Sequence, residues 1–176
     1  RLLVLDAVDQ GLHYARNWIW EHALSEGHEM FWQIDDNIGG FFRCNRNLRV
    51  PVTSGTIFRV AEEFVERFDN VAQAGFQYYT FVPRRGLYER PPLIINTRIY
   101  SCTLNRTDLP FRYRIFYNDD TDLSLQCLKA GWCTILFQAF LAQKNATMTV
   151  KGGLTDHYTE ETHGMDRGGR LDMARQ

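Results

Sequence analysis

Segments with a helical pattern alternate along this chain with short apolar runs that are typical of buried strands. Apolar residues recur at three- and four-residue steps from Gly11 to Glu26, and a crowded aromatic run from His28 to Ile34 follows at once. A second helix is predicted after Thr53 or Ser54, with Gly75 ending its region, and a third from Asp119 to Gly131. Further strands are predicted at 76–82, 93–104, 111–117 and 132–141. This alternation predicts an α/β fold, a mixed sheet flanked by helices, in a single domain over residues 1–176.

Arginine is concentrated in the middle of a chain whose formal net charge is only −1. Seven arginines lie between residues 84 and 114, against Glu89 and Asp108. Such a segment favours an anion-binding face, for phosphates of a small molecule or of a nucleic-acid backbone, although a solvated arginine-rich surface gives the same pattern. Several of these arginines alternate with aromatic residues, which suits phosphate contacts and base stacking. The candidate nucleic-acid contacts are Arg84, Arg85, Arg98, Arg112 and Arg114.

The cysteines and the hydropathy pattern favour an intracellular protein. Cys44, Cys102, Cys127 and Cys133 show no metal-finger spacing and lie in apolar stretches, so we predict buried thiols in a reducing compartment. No apolar run is long enough to span a bilayer, and no signal peptide is visible. We therefore predict a soluble cytoplasmic protein with no membrane contact; the sequence gives no indication of its oligomeric state.

The first acidic motif is Asp35-Asp36-Asn37, directly after the aromatic strand. Carboxylates at the carboxyl end of a buried strand lie at the edge where open α/β sheets bind ligands. Their hard oxygens suit Mg²⁺ or Mn²⁺, which in turn grips a diphosphate. A turn that uses Asp and Asn for local hydrogen bonds is the alternative interpretation.

The second acidic motif runs from Asn118 to Asp122 and opens the third predicted helix. Acidic residues at a helix start are ordinary capping, stabilised by the helix dipole. Asp119, Asp120 and Asp122 are nevertheless more carboxylates than capping needs, and like charges this close repel each other. The excess indicates a base, a metal site or a contact to a substrate hydroxyl, with capping left as the alternative.

A third candidate is His157, in a glycine-rich stretch near the end of the chain. A histidine on such a loop is able to close over a bound metal or phosphate as a late ligand. His163 is its rival, and an uninvolved loop histidine is the plain alternative.

Taken in order, these motifs resemble type-A glycosyltransferases. The helix with Ala15-Arg16-Asn17, the strand into Asp35-Asp36-Asn37 and the later acidic helix start are similar to that fold's metal motif and acceptor-base motif. More narrowly, residues 117–125 together with Lys151-Gly152-Gly153 resemble the TET-associated glycosyltransferases. That family is linked, in phages and bacteria, to glycosylation of oxidised pyrimidines such as hydroxymethyl bases in DNA.

The resemblance implies a role for each matched position. It implies a nucleotide-sugar donor, a Mn²⁺ or Mg²⁺ ion, a DNA acceptor and a location in a bacterial or phage-infected cell. Arg16, Asn17, Asp35 and Asp36 would bind the donor; Asp36, Asn37 and His157 would hold the metal; Asp120, with Asp119 as competitor, would accept the acceptor's proton if the enzyme inverts.

Two departures from the resembled pattern keep alternatives open. The third position of the metal motif is Asn37, a neutral ligand, and the chain begins close to the Ala15-Arg16-Asn17 helix. A full type-A domain has strands before that helix, so we expect a fold that lacks its first strands. The alternatives are transfer to a protein or glycan acceptor, and a non-catalytic remnant that binds DNA or a partner.

Overall fold

A computed structural model describes residues 2–7, 10–45, 48–82 and 91–145 of the chain. Three α-helices lie in these residues: α1 (Leu12–Ser25), α2 (Thr56–Val65) and α3 (Asp119–Lys129), with a short 3₁₀ helix at Tyr79–Phe81. The strands are β1 (Met30–Ile34), β2 (Ile38–Asn45), β3 (Leu48–Val52), β4 (Val71–Tyr78), β5 (Leu93–Ile95), β6 (Cys102–Arg106) and β7 (Cys133–Lys144). The predicted α/β fold, a mixed sheet flanked by helices, is confirmed.

The seven described strands form one mixed sheet in the order β1-β6-β4-β7-β2-β3, with β5 paired to β7. β6 is antiparallel to both β1 and β4, whereas β4 and β7 are parallel. β1, β4 and β7 therefore run in one direction and bring their carboxyl ends to the same edge. This carboxyl edge, as we call it, is where the aromatic strand runs into Asp35.

Helices cover both faces of the sheet. α2 packs Ile57, Ala61 and Val65 onto one face, where they meet Phe76 and other strand residues. The second core, on the opposite face, comprises residues of α1, α3, the strands and the segment between β6 and α3: Trp20, Ala23, Phe31, Ala72, Leu109, Tyr113, Leu123 and Cys127. In β1, Phe31 enters the second core while Met30 and Trp32 pack against the first, as the period of two requires.

β4 begins at Val71, five residues before the predicted strand, and Gly75 lies inside it rather than ending a helical region. A β-carbon at Gly75 would lie 2.4 Å from Ile99 Cγ2 and 2.5 Å from the Cys102 carbonyl oxygen. Glycine is therefore needed here for close approach of backbone. The prediction of a break at Gly75 was wrong for that reason.

Other local predictions need correction as well. Residues 111–117 contain no strand. The segment 93–104, predicted as one long strand or a strand pair, is a pair, β5 and β6. α2 is preceded by Gly55, so neither Thr53 nor Ser54 is its capping residue. The β2–β3 hairpin was not predicted.

The structure also bears on the cysteines and on membrane-spanning helices. The four cysteines are free; Cys102 and Cys127 are buried, and Cys44 and Cys133 are partly buried. Within the described ranges no helix has both the length and the apolar character needed to cross a bilayer.

Candidate active site

The carboxyl edge of the sheet gathers polar side chains from four strands. Lys144, the last residue of β7, lies with Nζ 2.9 Å from Asp35 Oδ2 at the end of β1. The same ammonium donates to Ser101 Oγ at 2.8 Å, just before β6, and the Ser101 hydroxyl also bonds the Tyr78 hydroxyl at the end of β4. The sheet topology therefore brings residues that are far apart in sequence into one cluster at this edge.

Arg16 joins this cluster to the second acidic motif. Its guanidinium lies 3.1 Å from Asp35 Oδ1 and 2.8 Å from Asp119 Oδ2. The residue is only 7% exposed, and its Cζ lies 5.1 Å from the centre of the Tyr113 ring. A buried guanidinium between two carboxylates fixes the end of β1 relative to the start of α3.

Asn17 fastens the irregular segment that leads into α3. Its side-chain amide donates to the Tyr113 carbonyl at 2.7 Å and accepts from the Tyr113 N–H at 3.0 Å. The Tyr113 hydroxyl in turn donates to Gln33 Oε1 at 3.0 Å. Because a side chain satisfies both backbone groups of Tyr113, this segment needs no neighbouring strand, which explains why the predicted strand is absent.

The start of α3 holds Asp119 and Asp120 in different environments. Asn118 precedes the helix with a positive φ of 54°. The buried Asp119 accepts the N–H of Asp120 at 3.0 Å as well as the Arg16 bond. The half-buried Asp120 accepts the Thr121 N–H at 2.7 Å through Oδ1. The motif therefore caps its own helix and still leaves Asp120 without a cationic partner in the described ranges.

The two carboxylates that Arg16 contacts have pKa values shifted in opposite directions. Burial would raise the pKa of Asp35, but the charges of Arg16 and Lys144 outweigh it, so that pKa lies below its ordinary value. At Asp119 burial prevails over the single cation Arg16, so the pKa is raised. Lys144 beside Asp35 and the negative charge of Asp120 beside Asp119 both contribute to this difference in pKa.

The four acids of the two motifs differ in whether a described cation pairs with them. Arg16 and Lys144 together balance Asp35 and Asp119. Asp36 and Asp120 form no ion pair with a described residue. The exposed Asp36 makes no ion pair or side-chain hydrogen bond with any described residue. One unpaired carboxylate thus lies beside each half of the cluster.

Asn37, next to Asp36, has a buried side-chain oxygen without a hydrogen-bond partner in the part of the chain that the structure describes. A buried amide oxygen is costly to leave unpaired, and it is a suitable ligand for a hard cation. The described residues contain no group of three or more His, Cys, Asp or Glu side chains able to hold a metal. The third predicted ligand, His157, lies outside the described residues.

The candidate nucleic-acid arginines are placed unequally. Arg114 is exposed and makes a two-pronged bond to Asp122 with both distances 2.8 Å. Arg98 is exposed, with Cζ 5.0 Å from the Tyr100 ring centre. Arg112 is held by Glu21 at 2.8 Å and by two backbone carbonyls. Arg84 and Arg85 lie outside the described residues, so DNA contact by these arginines stays a prediction.

Sequence reasoning missed Lys144, Ser101 and Tyr78. A lysine ending an otherwise apolar strand was an available indication for Lys144, because it must find a partner at the sheet edge. Ser101 has a positive φ of 59°, which no sequence pattern reveals. A non-glycine residue in this conformation is a common feature of functional sites.

A groove of about 930 Å³ lies at the opposite edge of the sheet. Its lining includes Met30 at the start of β1 and Arg106 at the end of β6, along with residues at the end of α2. None of the four acids of the carboxyl edge lines it. The chemistry-bearing residues therefore lie away from this groove.

Comparison with known proteins identifies the family. A family model described as TET-Associated Glycosyltransferase matches residues 1–153. No curated protein and no solved structure matches the chain. The match spans both acidic motifs, Arg16 and Lys144, and most of the chain. The chain therefore belongs to the TET-associated glycosyltransferase family and is a glycosyltransferase.

Proposed function

We propose that this enzyme transfers a sugar from a nucleotide-sugar donor to the hydroxyl of a hydroxymethylpyrimidine in DNA, with the help of a divalent cation. The observation that carries the proposal is a pair of carboxylates, Asp36 and Asp120, that no cation of the described residues compensates, beside one largely buried ion-pair cluster. Sugar transfer requires that the departing diphosphate be stabilised and that a proton be accepted from the acceptor. Asp36 is suited to the first requirement and Asp120 to the second.

Asp36 and Asn37 are the residues proposed to hold the cation on the donor side. The exposed carboxylate and the unpartnered amide oxygen of Asn37 offer two hard ligands, and His157 is proposed as a third. When bound, Mg²⁺ or Mn²⁺ neutralises charge on the diphosphate leaving group. Both oxygens of Asp35 already bond cations, so we propose that Asp35 orients this end of the strand and the donor beside it.

Asp120 is the group proposed to accept the proton. In an inverting transfer, the acceptor oxygen forms a bond to the anomeric carbon while the bond to the diphosphate breaks. The acceptor's proton passes to a carboxylate as this happens. Asp119 is a poorer candidate because Arg16 occupies it, whereas one oxygen of Asp120 accepts no bond from the described residues.

A DNA acceptor is supported by the family description and by the exposed arginines near α3. Arg114 lies against the first turn of α3 through Asp122, and Arg98 lies over the Tyr100 ring. Exposed guanidinium groups at these places are suited to contact with phosphates on either side of a target nucleotide. The target base has to leave the helix stack to bring its hydroxyl to Asp120.

Sugar transfer from a panel of nucleotide sugars to oligonucleotides with hydroxymethylcytosine or hydroxymethyluracil, with and without Mn²⁺, tests the proposal. Asp120→Asn is expected to lower kcat by about 100-fold or more, the usual range for a general base. Asp36→Ala is expected to weaken the Mn²⁺-dependent binding of the nucleoside diphosphate. Asp108→Asn is the matched control, since that exposed carboxylate pairs with Arg106 at the opposite edge.

The outcomes separate the rival functions. Transfer to a protein or a glycan but not to modified DNA would replace the acceptor and keep the chemistry. Absence of transfer to every acceptor, with no nucleotide binding in the presence of Mn²⁺, would favour a non-catalytic protein. The anomeric configuration of the product, read by NMR, decides whether a base is required.

A further inference from the structure

Three aromatic rings form a cluster beside the carboxyl edge. The Tyr78 and Tyr100 ring centres are 4.3 Å apart, and Phe81 packs edge-on against Tyr78 at 5.3 Å. Phe81 also lies 6.5 Å from Tyr100. Phe81 ends the short 3₁₀ helix that follows β4, so it lies at the same edge of the sheet as the ion-pair cluster. We call these three residues the aromatic cluster.

The aromatic cluster contacts both halves of the candidate site. Tyr78 bonds Ser101 through its hydroxyl, and Lys144 Nζ lies 5.8 Å from the Tyr78 ring centre. Tyr100 connects to the other half through its neighbour Ile99, whose N–H donates at 3.1 Å to Ser124 Oγ in α3, the helix that begins with Asp119 and Asp120. Burial raises the pKa of Tyr100 to about 12, and the negative charge of Asp120 contributes to that shift. The aromatic cluster is therefore linked to Lys144 through Tyr78 and to α3 through Tyr100.

Exposure differs sharply within the aromatic cluster. Tyr100 is 5% exposed, whereas Phe81 is 51% exposed. Single exposed apolar residues are common and need no function. Phe81 differs from such residues because it is the exposed member of a cluster in which Tyr78 bonds Ser101 and lies beside Lys144.

We propose that Phe81 stacks on the pyrimidine ring of the acceptor. This inference rests on the proposed function. In a hydroxymethylpyrimidine the reacting oxygen is attached to the ring through a single carbon, so the ring has to lie next to the group that receives the proton. Tyr100 is joined through Ile99 to the helix whose first turn holds that group, and Phe81 presents an exposed ring with its centre 6.5 Å from that of Tyr100. Stacking on an aromatic side chain suits any planar base, which holds the ring while the hydroxyl is positioned.

The donor's base is the other possible source of a planar ring, and substitution of Phe81 distinguishes the two. Phe81→Ala is expected to raise KM for a single-stranded oligonucleotide with one hydroxymethylcytosine by about tenfold, in line with the loss of one stacked base. The Kd for nucleoside diphosphate with Mn²⁺ is expected to stay the same. Phe81→Trp is expected to keep the wild-type KM, because it preserves a stacking face.

Two further variants control for packing. Phe81→Leu keeps an apolar side chain without a stacking face and is expected to raise KM by at least about fivefold. Phe68→Ala removes another half-exposed phenylalanine, before β4 at the opposite edge, and is expected to leave KM unchanged. Thermal unfolding of each variant shows whether the fold is intact.

Each other result overturns the inference in a recognisable way. Wild-type KM in Phe81→Leu means that Phe81 acts through apolar packing alone. Weaker nucleotide binding with an unchanged KM for DNA assigns the stacking to the donor's base. If the wild-type enzyme transfers sugar to no DNA, the proposed function fails together with this inference. Transfer by the wild type with an unaffected Phe81→Ala removes the inference alone.

Discussion

The first acidic motif, at the end of β1, and the second, at the start of α3, differ in how cations neutralise their carboxylates. Each has one carboxylate that bonds Arg16 and a neighbour that has no cation among the described residues. At the strand end Lys144 adds a second cation, and the pKa of Asp35 is lowered. At the helix start Asp119 has only Arg16 and backbone bonds, and burial raises its pKa. The comparison teaches that the inner acid of each motif, Asp35 or Asp119, is bound within the fold, whereas the outer acid, Asp36 or Asp120, has no cation among the described residues.

Removal of Arg16 is expected to break both motifs together. Arg16→Met leaves Asp35 and Asp119 buried without their shared cation, which is expected to lower the free energy of unfolding by about 3–5 kcal/mol. Urea denaturation measures the change. Arg59→Met is the control, because its pair with Glu63 is exposed and 3.6 Å long and contributes less than about 0.5 kcal/mol. A change of the same size in both variants would contradict the bridging role.

Neutralising the inner and outer acids of the helix start is expected to separate structure from chemistry. Asp119→Asn removes the partner of a buried guanidinium and is expected to lower the free energy of unfolding by about 1–3 kcal/mol. Asp120→Asn is expected to leave stability within about 0.5 kcal/mol of the wild type, since it has no ion pair to lose. Urea denaturation and transfer rates of both variants test this. Greater destabilisation by Asp120→Asn would reverse the assignment of the two acids.

Acid titration sharpens the difference between the inner acids. The lowered pKa of Asp35 contributes stability that is present above its ordinary value of 3.8 and is lost as the pH falls through the lowered value. The raised pKa of Asp119 has the opposite sign, so its contribution declines as the pH rises from 3.8 through the raised value. Urea midpoints between about pH 2 and pH 6 are expected to rise less steeply in Asp35→Asn and to decline less in Asp119→Asn. Identical profiles would show that Lys144 does not separate the two acids.

The smallest expected effect concerns Arg114, at the exposed rim of the helix start. Arg114→Ala is expected to leave stability unchanged. The slope of log K for DNA binding against log salt concentration is expected to fall in magnitude by about one. Arg59→Ala, an exposed arginine on α2, is expected to leave that slope unchanged. A wild-type slope in Arg114→Ala would mean that this guanidinium contacts no phosphate.

Sequence patterns predicted the helices and strands in which apolar residues recur at regular spacing. The helical spacing identified α1, and the aromatic run before Asp35 identified β1. The face expected to be buried was wrong, because Arg16 and Trp20 are buried in α1 while Ile19 is exposed. The acidic stretch at Asp119 correctly opened α3. These segments are local: the pattern of apolar residues and the polar stop that follows are sufficient to define them.

The remaining features depend on contacts that are distant in sequence. Gly75 breaks a helical pattern but is required within β4 by the approach of Ile99. The segment around Tyr113 has strand-like alternation, yet Asn17, 96 residues earlier, satisfies its backbone. The role of Lys144 depends on the parallel pairing of β7 with β4, which brings it beside Asp35. No local pattern contains that information.

The buried Arg16 has a consequence for the timing of catalysis. Because one guanidinium ties the end of β1 to the start of α3, separation of these elements would break at least one of the two ion pairs of a buried arginine. The field that surrounds Asp36 and Asp120 is therefore established once, during folding, and does not have to be assembled at each turnover. Preorganised charges of this kind spare the reaction the reorganisation cost that water would impose.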